Sequence, residues 1–385
     1  MSGGIDSSVA AALLKRADFS VMGVFLKLAY LPKFKESERR AKKVAKILKI
    51  PFLVLDLRKE FKKRIINYFL EGYKEGITPN PCVVCNKEIK FGLLLEKALK
   101  LGADFIATGH YARLRREIQN PKSKILNYRY KLLKARDKEK DQSYFLWKLN
   151  QKQLRKTLFP VGNYARKEVE KLARKFKLPF TNVKKSVEIC FIKTPMIAED
   201  SPHLPPRPAQ PTGQGSVNDF LKKYLRPKPG PIAEQVRYGV KKIIGRHKGL
   251  YFYTIGQRKG IGLPGGPYYV LGKDLKKNFL IVTKNEKDLY KKELVVKNVN
   301  WVSGKEPKLP LKVKAKIRYR HRAASAILIK HKTWNIKQKK YKVIFDNPQR
   351  AITPGQSVVF YCARPKPARA KEGGGQELLG GGVIC

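Results

Sequence analysis

The stretch Ser2-Gly3-Gly4-Ile5-Asp6-Ser7-Ser8 opens the chain, and an apolar run over residues 9–14 follows it directly. Adjacent glycines let the backbone take positive φ angles and approach a ligand that a Cβ would keep away. The apolar run predicts a helix over 5–17, so the loop would end at a helix N-terminus, where free N–H groups and the helix dipole favour a bound anion. No Gly-Lys-Ser/Thr closes the loop, so it is not of the Walker type. The stretch therefore predicts a phosphate-binding loop.

Patterns typical of strands and helices alternate after this loop, with strands predicted at 20–27, 51–57 and 103–108 and helices at 36–49, 59–73, 81–100 and 164–176. Such alternation predicts a doubly wound α/β domain with a parallel sheet, here over residues 1–194. Ligands of these sheets bind at the carboxyl ends of the strands, where we expect the phosphate loop. Such a loop normally follows a buried strand, whereas Met1 precedes it here. We therefore expect either a missing first strand or another segment in its place.

The rest of the chain changes in character. Residues 195–216 contain six prolines and two glycines, which indicates a linker or a surface insertion. A small β-rich central domain is predicted over 217–290, with a short helix at its start. Strand-like sequence then predicts a β-barrel over 291–385, and the stretch 364–377, rich in Pro, Gly and Lys, is expected to be mobile.

The charge of the chain indicates a polyanionic partner. Its 385 residues include 84 Lys and Arg against 30 Asp and Glu, a net charge of +54, which favours binding to RNA, DNA or anionic lipid. No apolar run approaches the ~18–20 residues that a membrane span needs, and no signal peptide is recognisable. Five cysteines in a chain of this length do not indicate a disulfide framework. We therefore expect a cytoplasmic protein with no membrane association.

A basic stretch near the C-terminus is the predicted nucleic-acid surface. Residues 305–342 contain 14 Lys and Arg and one acidic residue, Glu306. Cations alternate with apolar residues at Lys312, Lys314, Lys316, Arg318, Arg320 and Arg322. The two-residue period of a strand would place all six on one face, where an RNA backbone would neutralise their repulsion. The alternative is a solvated edge strand kept soluble by its charges.

A cysteine pair lies in Thr78-Pro79-Asn80-Pro81-Cys82-Val83-Val84-Cys85-Asn86. Asn followed by Pro is typical of an N-cap and the first helical residue, so both thiols would lie on one helix face in the first turn. The helix dipole there predicts a lowered thiol pKa. A structural zinc site would need a second cysteine or histidine pair, whereas only Cys190, Cys362 and Cys385 remain, so reactive or cluster-binding sulfur is favoured. Cys190 by itself would be interpreted as a buried core thiol.

The chain resembles the tRNA-specific 2-thiouridylases (MnmA type) of the ATP pyrophosphatase, or PP-loop, superfamily over nearly its whole length. The matching motifs occur in the family order: SGGIDSS (2–8), TPNPCVVCNKEIKFG (78–92), ATGHYAR (107–113), KDQSYFLW (140–147), EICFI (188–192), YTIGQRKGIGLPG (253–265), RYRH (318–321), TPGQSVVFY (353–361) and LGGGVI (379–384).

This resemblance implies an α/β ATP-binding domain, a small central domain and a C-terminal β-barrel that grips tRNA. It implies that ATP, with Mg²⁺, adenylates the C2 oxygen of the wobble uridine, and that a persulfide sulfur then displaces AMP to give 2-thiouridine. Adenylation is needed because an amide-like carbonyl is a poor electrophile, and sulfur release is thiol–disulfide exchange. The implied partners are tRNA and a persulfide sulfur-donor protein, and we expect a monomer.

The resemblance also implies residue roles. The ATP contacts would be Ser2, Gly3, Gly4, Ile5, Asp6, Ser7, Ser8, Leu26 and Gly109. Cys190 would receive the persulfide, and Cys85 would release its sulfur through a Cys85–Cys190 disulfide. The target base would face Asn80, Pro81 and Cys82. The residues near tRNA would be His110, Lys140, Asp141, Gln142, Arg318, Tyr319 and Gln356. For His110 the alternative is a structural histidine.

Three departures from the family pattern leave alternatives open. Leu26 stands where methionine is often found, Cys82 where aspartate is usual, and Val187-Glu188 where a small Thr-Gly pair is usual. With three thiols, Cys82, Cys85 and Cys190 could hold a [4Fe–4S] cluster with one open iron, although the persulfide route is preferred. The remaining alternatives are another PP-loop ATP pyrophosphatase acting on tRNA and a non-catalytic RNA-binding protein.

Overall fold

The computed structural model describes residues 1–119, 127–179, 189–192, 214–235, 241–331, 339–363 and 375–385. The N-terminal part contains, in chain order, α1 (Ile5–Arg16), β1 (Gly23–Lys27), α2 (Pro32–Ile47), β2 (Phe52–Asp56), α3 (Arg58–Phe61), a π-helical segment (Lys62–Ile66), α4 (Asn67–Lys74), α5 (Pro81–Cys85), a second π-helical segment (Asn86–Leu93), α6 (Leu94–Lys100), β3 (Ile106–Ala107), β4 (Ala112–Ile118), β5 (Tyr128–Lys134), a 3₁₀ turn (Ser143–Leu146), α7 (Gln151–Arg155), β6 (Thr157–Leu158) and α8 (Arg166–Lys175). The predicted alternation of helices and strands is confirmed.

Two parallel strand pairs form the sheet of this part, β1 with β2 and β3 with β6. Leu26 is the partner of Leu55 in the first pair, and Ile106 is the partner of Thr157 in the second. Within the described residues no strand hydrogen-bonds one pair to the other. The amine of Met1 donates to a carbonyl of β1. Parallel pairing with helical crossovers confirms the predicted α/β class.

Small side chains let α1 pack closely against its neighbours. Val9, Ala10 and Ala12 are almost fully buried in one cluster with Val44 of α2 and Val169 of α8. Short side chains permit close approach of helix backbones while still removing apolar area from water. The packing brings the N-terminus of α8 to the beginning of α1.

The central part contains α9 (Gln214–Lys222), β7 (Gly230–Gln235), β8 (Lys241–His247), β9 (Tyr269–Asp274) and β10 (Phe279–Thr283), with strand order β8-β7-β10-β9. Its core is continuous with that of the N-terminal part. The ring of Phe191 packs edge-to-face on Phe69 of α4 and on Phe220 of α9, at 5.3 Å between ring centroids in both cases. Aromatic contacts therefore fix the short segment 189–192, and Cys190 with it, between the two parts.

The C-terminal part is a closed six-stranded barrel made of β11 (Tyr290–Trp301), β12 (Leu311–Lys316), β13 (Ala324–Lys330), β14 (Tyr341–Arg350), β15 (Ser357–Cys362) and β16 (Glu377–Ile384). The order is β11-β14-β13-β12-β15-β16, and pairing of β16 with β11 closes it. The β4–β5 hairpin of the N-terminal part extends this sheet, because β5 pairs with β16. The predicted β-barrel is confirmed, and the hairpin ties it to the first domain.

Two predictions about the barrel are wrong in part. The basic strand ends at Lys316, because the chain turns back into β13 with Ala315 opposite Ala324. Lys312, Lys314 and Lys316 therefore share a strand face, whereas the three predicted arginines lie in the connecting turn. Of the stretch expected to be mobile, residues 364–374 lie outside the described part. Gln376 is fixed by hydrogen bonds to Lys134 and to the Cys362 carbonyl, and β16 begins at the next residue.

The predicted linker 195–216 lies mostly outside the described residues, and its last three residues, 214–216, belong to α9. Where the structure describes the chain, no helix is both long and apolar enough to cross a membrane.

Candidate active site

The phosphate loop is an open turn held by its own serines. Gly4 is the N-cap of α1, and the Oγ of Ser7 and of Ser8 each donate to its carbonyl at 3.0 Å. The Ser2 N–H donates to the Ser7 Oγ at 3.1 Å. Gly3 has φ +72°, and a Cβ there would collide with the Ser37 carbonyl of α2. The sequence thus uses glycine where the backbone is left-handed and crowded, and the helix N-terminus stays open toward a ligand.

The negative charge inside this loop is neutralised. The Asp6 carboxylate accepts hydrogen bonds from the Arg166 guanidinium at 2.5 Å and from the Tyr111 hydroxyl at 2.9 Å. A bare carboxylate in the first turn would compete with a phosphate for the helix N-terminus and would repel it. Pairing with Arg166 removes that repulsion, so the loop fits a polyphosphate anion.

Gly109 lies directly against the phosphate loop. A Cβ at this position would meet the Asp6 carbonyl carbon and the Ser7 nitrogen at 2.6 Å, so only glycine allows this approach. Leu26 lies in β1, half-buried against the core that contains Cys85. The loop, Gly109 and Leu26 are the predicted ATP contacts. Their contact with ATP stays a prediction.

The cysteine pair begins a long helical stretch, as predicted, but the helix is not uniform. Asn80 is the N-cap and Pro81 the first residue of α5, which passes without a break through the π-helical segment 86–93 into α6. The Asn80 side chain does not cap the helix; it lies near the hydroxyl of Tyr144 and helps to lower the pKa of that hydroxyl. π-Helical insertions are frequent at functional sites, where the wider turn redirects side chains.

The structure brings the three predicted catalytic thiols into electrostatic range of one another. Cys85 is buried and Cys190 half-buried in the same hydrophobic core, whereas Cys82 is accessible at the surface. The charge of Cys190 acts on both Cys82 and Cys85. All three are free thiols, so each is available for exchange chemistry.

The predicted lowering of the thiol pKa is wrong. Solvent reaches the Cys82 side chain, but many protein atoms surround its sulfur, and the resulting loss of hydration, aided by the charge of Cys190, raises its pKa to about 11. Burial likewise raises the pKa of Cys85 to about 12 and raises the pKa of Cys190. Loss of hydration outweighs the helix dipole because a thiolate in an apolar surrounding loses its solvent, while the dipole effect is small and local. Lys90 opposes the shift at all three sulfurs.

The cluster alternative finds no support in this geometry. Among the described residues, which include all three cysteines, no group of three or more Cys, His, Asp or Glu side chains could hold a metal ion. An iron–sulfur cluster needs several thiolates converging on one centre. The arrangement favours sulfur exchange.

His110 is a packed, neutral histidine. Its ring lies 5.9 Å from that of Phe91 and 6.2 Å from that of Phe159, and its Nδ1 pairs with the Thr108 hydroxyl at 2.8 Å. Burial, with a further contribution from Lys90, lowers its pKa well below the usual value. His110 therefore offers a neutral imidazole, and its role toward tRNA stays a prediction.

Several predicted tRNA residues also hold the domains together. The Gln356 side chain donates to the Thr78 carbonyl at 2.9 Å, and the Thr78 N–H donates to the Pro354 carbonyl at 2.9 Å. Arg318 donates from one nitrogen to the carbonyls of Ile255 and Ala351. The barrel thus grips the loop that leads to the catalytic helix.

The segment around residues 140–142 is likewise bonded within the protein. Asp141 is buried and accepts from the Ala135 and Ser143 N–H groups, and Gln142 accepts from the Tyr111 N–H. The Lys140 N–H donates to Asp137 at 3.1 Å. These contacts position the segment, and the direct tRNA contacts of its residues stay predictions.

A basic cleft of about 490 Å³ lies where the β5 side of the hairpin meets the barrel. Tyr319 and Asp141 contribute to its lining, and the cations that line it are Lys134, Lys138, Lys314, Lys316, Arg320 and Arg322. The ring of Tyr319 packs on Phe145 at 4.5 Å. Lys134 and Lys138 are not among the predicted RNA contacts, although the lysine-rich run just before the KDQSYFLW motif is a usable signal. An aromatic ring among cations suits a nucleic acid.

The chain matches three family models: a tRNA methyl transferase HUP domain over residues 1–194, a tRNA methyl transferase PRC-barrel domain over 218–284 and an aminomethyltransferase beta-barrel domain over 291–384. It is 40% identical to the tRNA-specific 2-thiouridylase MnmA of Syntrophomonas wolfei, over 100% of this chain and 98% of that protein. It is also 40% identical to MnmA of Moorella thermoacetica, over 100% of this chain and 98% of that protein. It is 43% identical to MnmA 2 of a Thermoanaerobacter species, over 94% of this chain and 93% of that protein. The phosphate loop, the three thiols and these full-length similarities together show that the chain belongs to the family of tRNA-specific 2-thiouridylases.

Proposed function

We propose that this protein is an ATP-dependent tRNA-uridine 2-sulfurtransferase that forms 2-thiouridine at the wobble position. One observation carries the proposal: α2 holds the phosphate loop and the thiol segment at the same time. Arg40 Nε donates to the Gly3 carbonyl at 3.3 Å, and Lys33 Nζ donates to the Ile192 carbonyl at 2.9 Å. The two positions are seven residues apart, about 10 Å along the helix axis. An adenylated base would therefore lie within reach of both.

The chemistry follows in two steps. The C2 oxygen of the uridine attacks the α-phosphorus of ATP, the bond from that phosphorus to the bridging oxygen breaks, and pyrophosphate leaves with the electron pair. The terminal sulfur of a Cys190 persulfide, supplied by a sulfur-donor protein, then attacks C2, and the C2–O bond breaks as AMP departs. Cys85 attacks the sulfur of Cys190, the S–S bond to the transferred sulfur breaks, and 2-thiouridine is released. A dithiol reductant then reopens the Cys85–Cys190 disulfide.

The finer assignments belong to the same proposal. Asn80, Pro81 and Cys82 begin the thiol helix and would face the target base. Mg²⁺ would arrive with ATP, held by phosphates and water, because it binds nucleotides in this way and Asp6 is already paired. The basic cleft would bind the tRNA backbone. Free thiols and a tRNA substrate favour the cytoplasm, and we propose a monomer there.

The test is mass spectrometry of nucleosides from tRNA incubated with the protein, ATP and a persulfide donor. We expect 2-thiouridine in the complete reaction, and none without ATP or with Cys190→Ser. Since the family-model descriptions name methyl transferases, the same spectra separate the two activities by mass, because sulfur replacing oxygen and an added methyl differ. A methylated and unthiolated product would refute the proposal.

A further inference from the structure

The π-helical segment 86–93 changes which residues share a face with the thiols. In an α-helix each N–H bonds to the carbonyl four residues back, whereas in a π-helix it bonds five back, so residue i+5 lies over residue i. Lys90 is five residues after Cys85, which directly precedes the π-helical segment. The insertion therefore turns Lys90 toward the face that carries Cys85, where a regular α-helix would point it elsewhere.

The neighbours of Lys90 place it between two sides of the site. Ile89 is fully buried in the core that contains Cys85 and Cys190. On the other side, the ring of Phe91 stacks on His110, which follows Gly109 and so lies next to the phosphate loop. Lys90 itself is half-buried.

The positive charge of Lys90 acts on groups from both sides. It opposes the rise in pKa that burial causes at Cys82, Cys85 and Cys190. It also contributes to the lowered pKa of His110 and of the Met1 amine, which precedes the phosphate loop. Within the described part of the chain, its ammonium is in no ion pair or hydrogen bond. An ammonium that no described residue pairs is placed to meet a substrate phosphate, because charge-assisted hydrogen bonds to phosphate oxygens are strong.

We propose that Lys90 is a further catalytic residue, whose ammonium contacts the phosphate of the adenylated uridine and stabilises AMP as it leaves. This proposal rests on the function proposed above. In the adenylated uridine, the phosphate is bonded through an oxygen to C2, the carbon that sulfur attacks. Since the phosphate loop would bind the phosphate and the thiols would approach C2, the phosphate must lie between the loop and the thiols. Negative charge develops there as the C2–O bond breaks, and a fixed cation in a half-buried site stabilises such charge. The same ammonium faces the thiolate of Cys85 when it attacks Cys190.

The electrostatic part of the proposal can be tested without ATP or tRNA. The reporter is Cys82, because it is accessible and Lys90 is the cation that acts on it. Its alkylation rates with anionic iodoacetate and neutral iodoacetamide are measured at one pH by peptide mass spectrometry. The ratio of the two rates cancels the thiolate fraction and reports the local potential. Lys90→Met should lower the ratio about two- to tenfold, the effect of one nearby unit charge.

Two variants control this measurement. Lys90→Arg should keep the ratio, because the charge remains. Lys87→Met, on the same helix but with its ammonium bonded to Gln153 at 2.9 Å, should also keep it. An unchanged ratio in Lys90→Met would overturn the placement of the ammonium beside the thiols.

The catalytic part is tested by single-turnover thiolation with saturating tRNA and a preloaded persulfide. Lys90→Met should slow sulfur transfer at least about tenfold, in the range of a lost electrostatic contact in a transition state, while Lys90→Arg restores part of the rate. Equal rates in Lys90→Met and wild type would overturn the catalytic role. If wild-type protein itself forms no 2-thiouridine, the proposed function fails, whereas the alkylation ratio still decides where the charge lies.

Discussion

At the scale of single residues, the chemistry of the site depends on which charged and ionisable side chains have a partner. Asp6 is neutralised by Arg166 and Tyr111, so the phosphate loop can accept an anion. The thiols lie in surroundings that disfavour charge, because loss of hydration raises the pKa of both Cys82 and Cys85 and makes their thiolates rarer still at neutral pH. Reactivity at sulfur must therefore be created by the approach of charge or substrate.

Replacing Asp6 by Ala should abolish AMP formation while leaving tRNA affinity within a few-fold. The change removes the acceptor that holds the Arg166 guanidinium and the Tyr111 hydroxyl in place beside the loop, so both groups can move into the phosphate site. The lost hydrogen bonds also cost about 1–3 kcal/mol in stability. AMP release by thin-layer chromatography and tRNA binding by filter retention measure the two effects. Glu170→Ala is the matched control. Its carboxylate pairs with the Nε of the same Arg166, at an N–O distance of 2.7 Å, but Glu170 is not part of the phosphate loop. Loss of tRNA binding in Asp6→Ala, with the fold intact, would contradict the separation of the two sites.

The raised thiol pKa values predict a pH dependence of alkylation. Because the pKa of Cys82 is about 11, its reaction with iodoacetamide should still rise about tenfold per pH unit between pH 8 and 10, whereas the same cysteine in urea should level off near its ordinary pKa of ~8.5. Because the pKa of Cys82 is higher in the folded than in the unfolded chain, its contribution to the free energy of unfolding is fully present below pH ~8.5. This contribution is lost as the pH rises through 11. A plateau of the folded-state rate near pH 8.5 would contradict the shift.

At the scale of elements, the barrel positions the catalytic helix. The Gln356 side chain and the Pro354 carbonyl clamp Thr78 from both sides, two residues before the N-cap of α5. The Tyr144 hydroxyl donates to the Ser357 carbonyl at 2.9 Å and lies near the Asn80 side chain. Two hydrogen bonds from the barrel to Thr78, with Tyr144 held beside Asn80, fix the position of Asn80 and Cys82 relative to the barrel.

Gln356→Ala should therefore impair thiolation more than it impairs folding. Loss of one half-buried hydrogen bond costs about 0.5–1.5 kcal/mol of stability, whereas misplacement of the target-base loop should lower the single-turnover rate at least about tenfold. Thermal unfolding and nucleoside mass spectrometry provide the two readouts. Gln349→Ala is the control, since its half-buried side chain donates to the carbonyls of Asn347 and Pro348, its own neighbours in the chain. Equal thiolation rates in the two variants would show that the clamp is not needed.

At the scale of the whole molecule, the net charge of +54 includes six lysines and arginines gathered around one cleft. The cleft lies between an N-terminal hairpin and the barrel, which β16 joins into one sheet. Arg320 and Arg322 line it from the turn after β12, whereas the exposed Lys312 lies on the same basic stretch outside it. Arg320 and Arg322 inside the cleft and Lys312 outside it therefore allow a controlled test of RNA binding by the cleft.

Arg320→Ala combined with Arg322→Ala should weaken tRNA binding and flatten its dependence on salt. Each lost phosphate contact lowers the log–log slope by about 0.7–0.9, so the double variant should lose about 1.4–1.8. Filter binding over a series of salt concentrations measures the slope. Lys312→Ala should leave the slope nearly unchanged. An equal loss of slope in both proteins would mean that the charge acts diffusely and not through the cleft.

The sequence by itself determined the fold class, the phosphate loop, the helix that carries Cys82 and Cys85, and the barrel, because local periodicity and glycine or proline chemistry specify each of them. The tertiary structure decided the protonation of the thiols, since burial depends on packing from distant segments and outweighs the local dipole. It also decided the end of the basic strand at Lys316 and the orientation of Lys90. A hairpin register and a π-helical insertion are set by long-range contacts that no local pattern encodes.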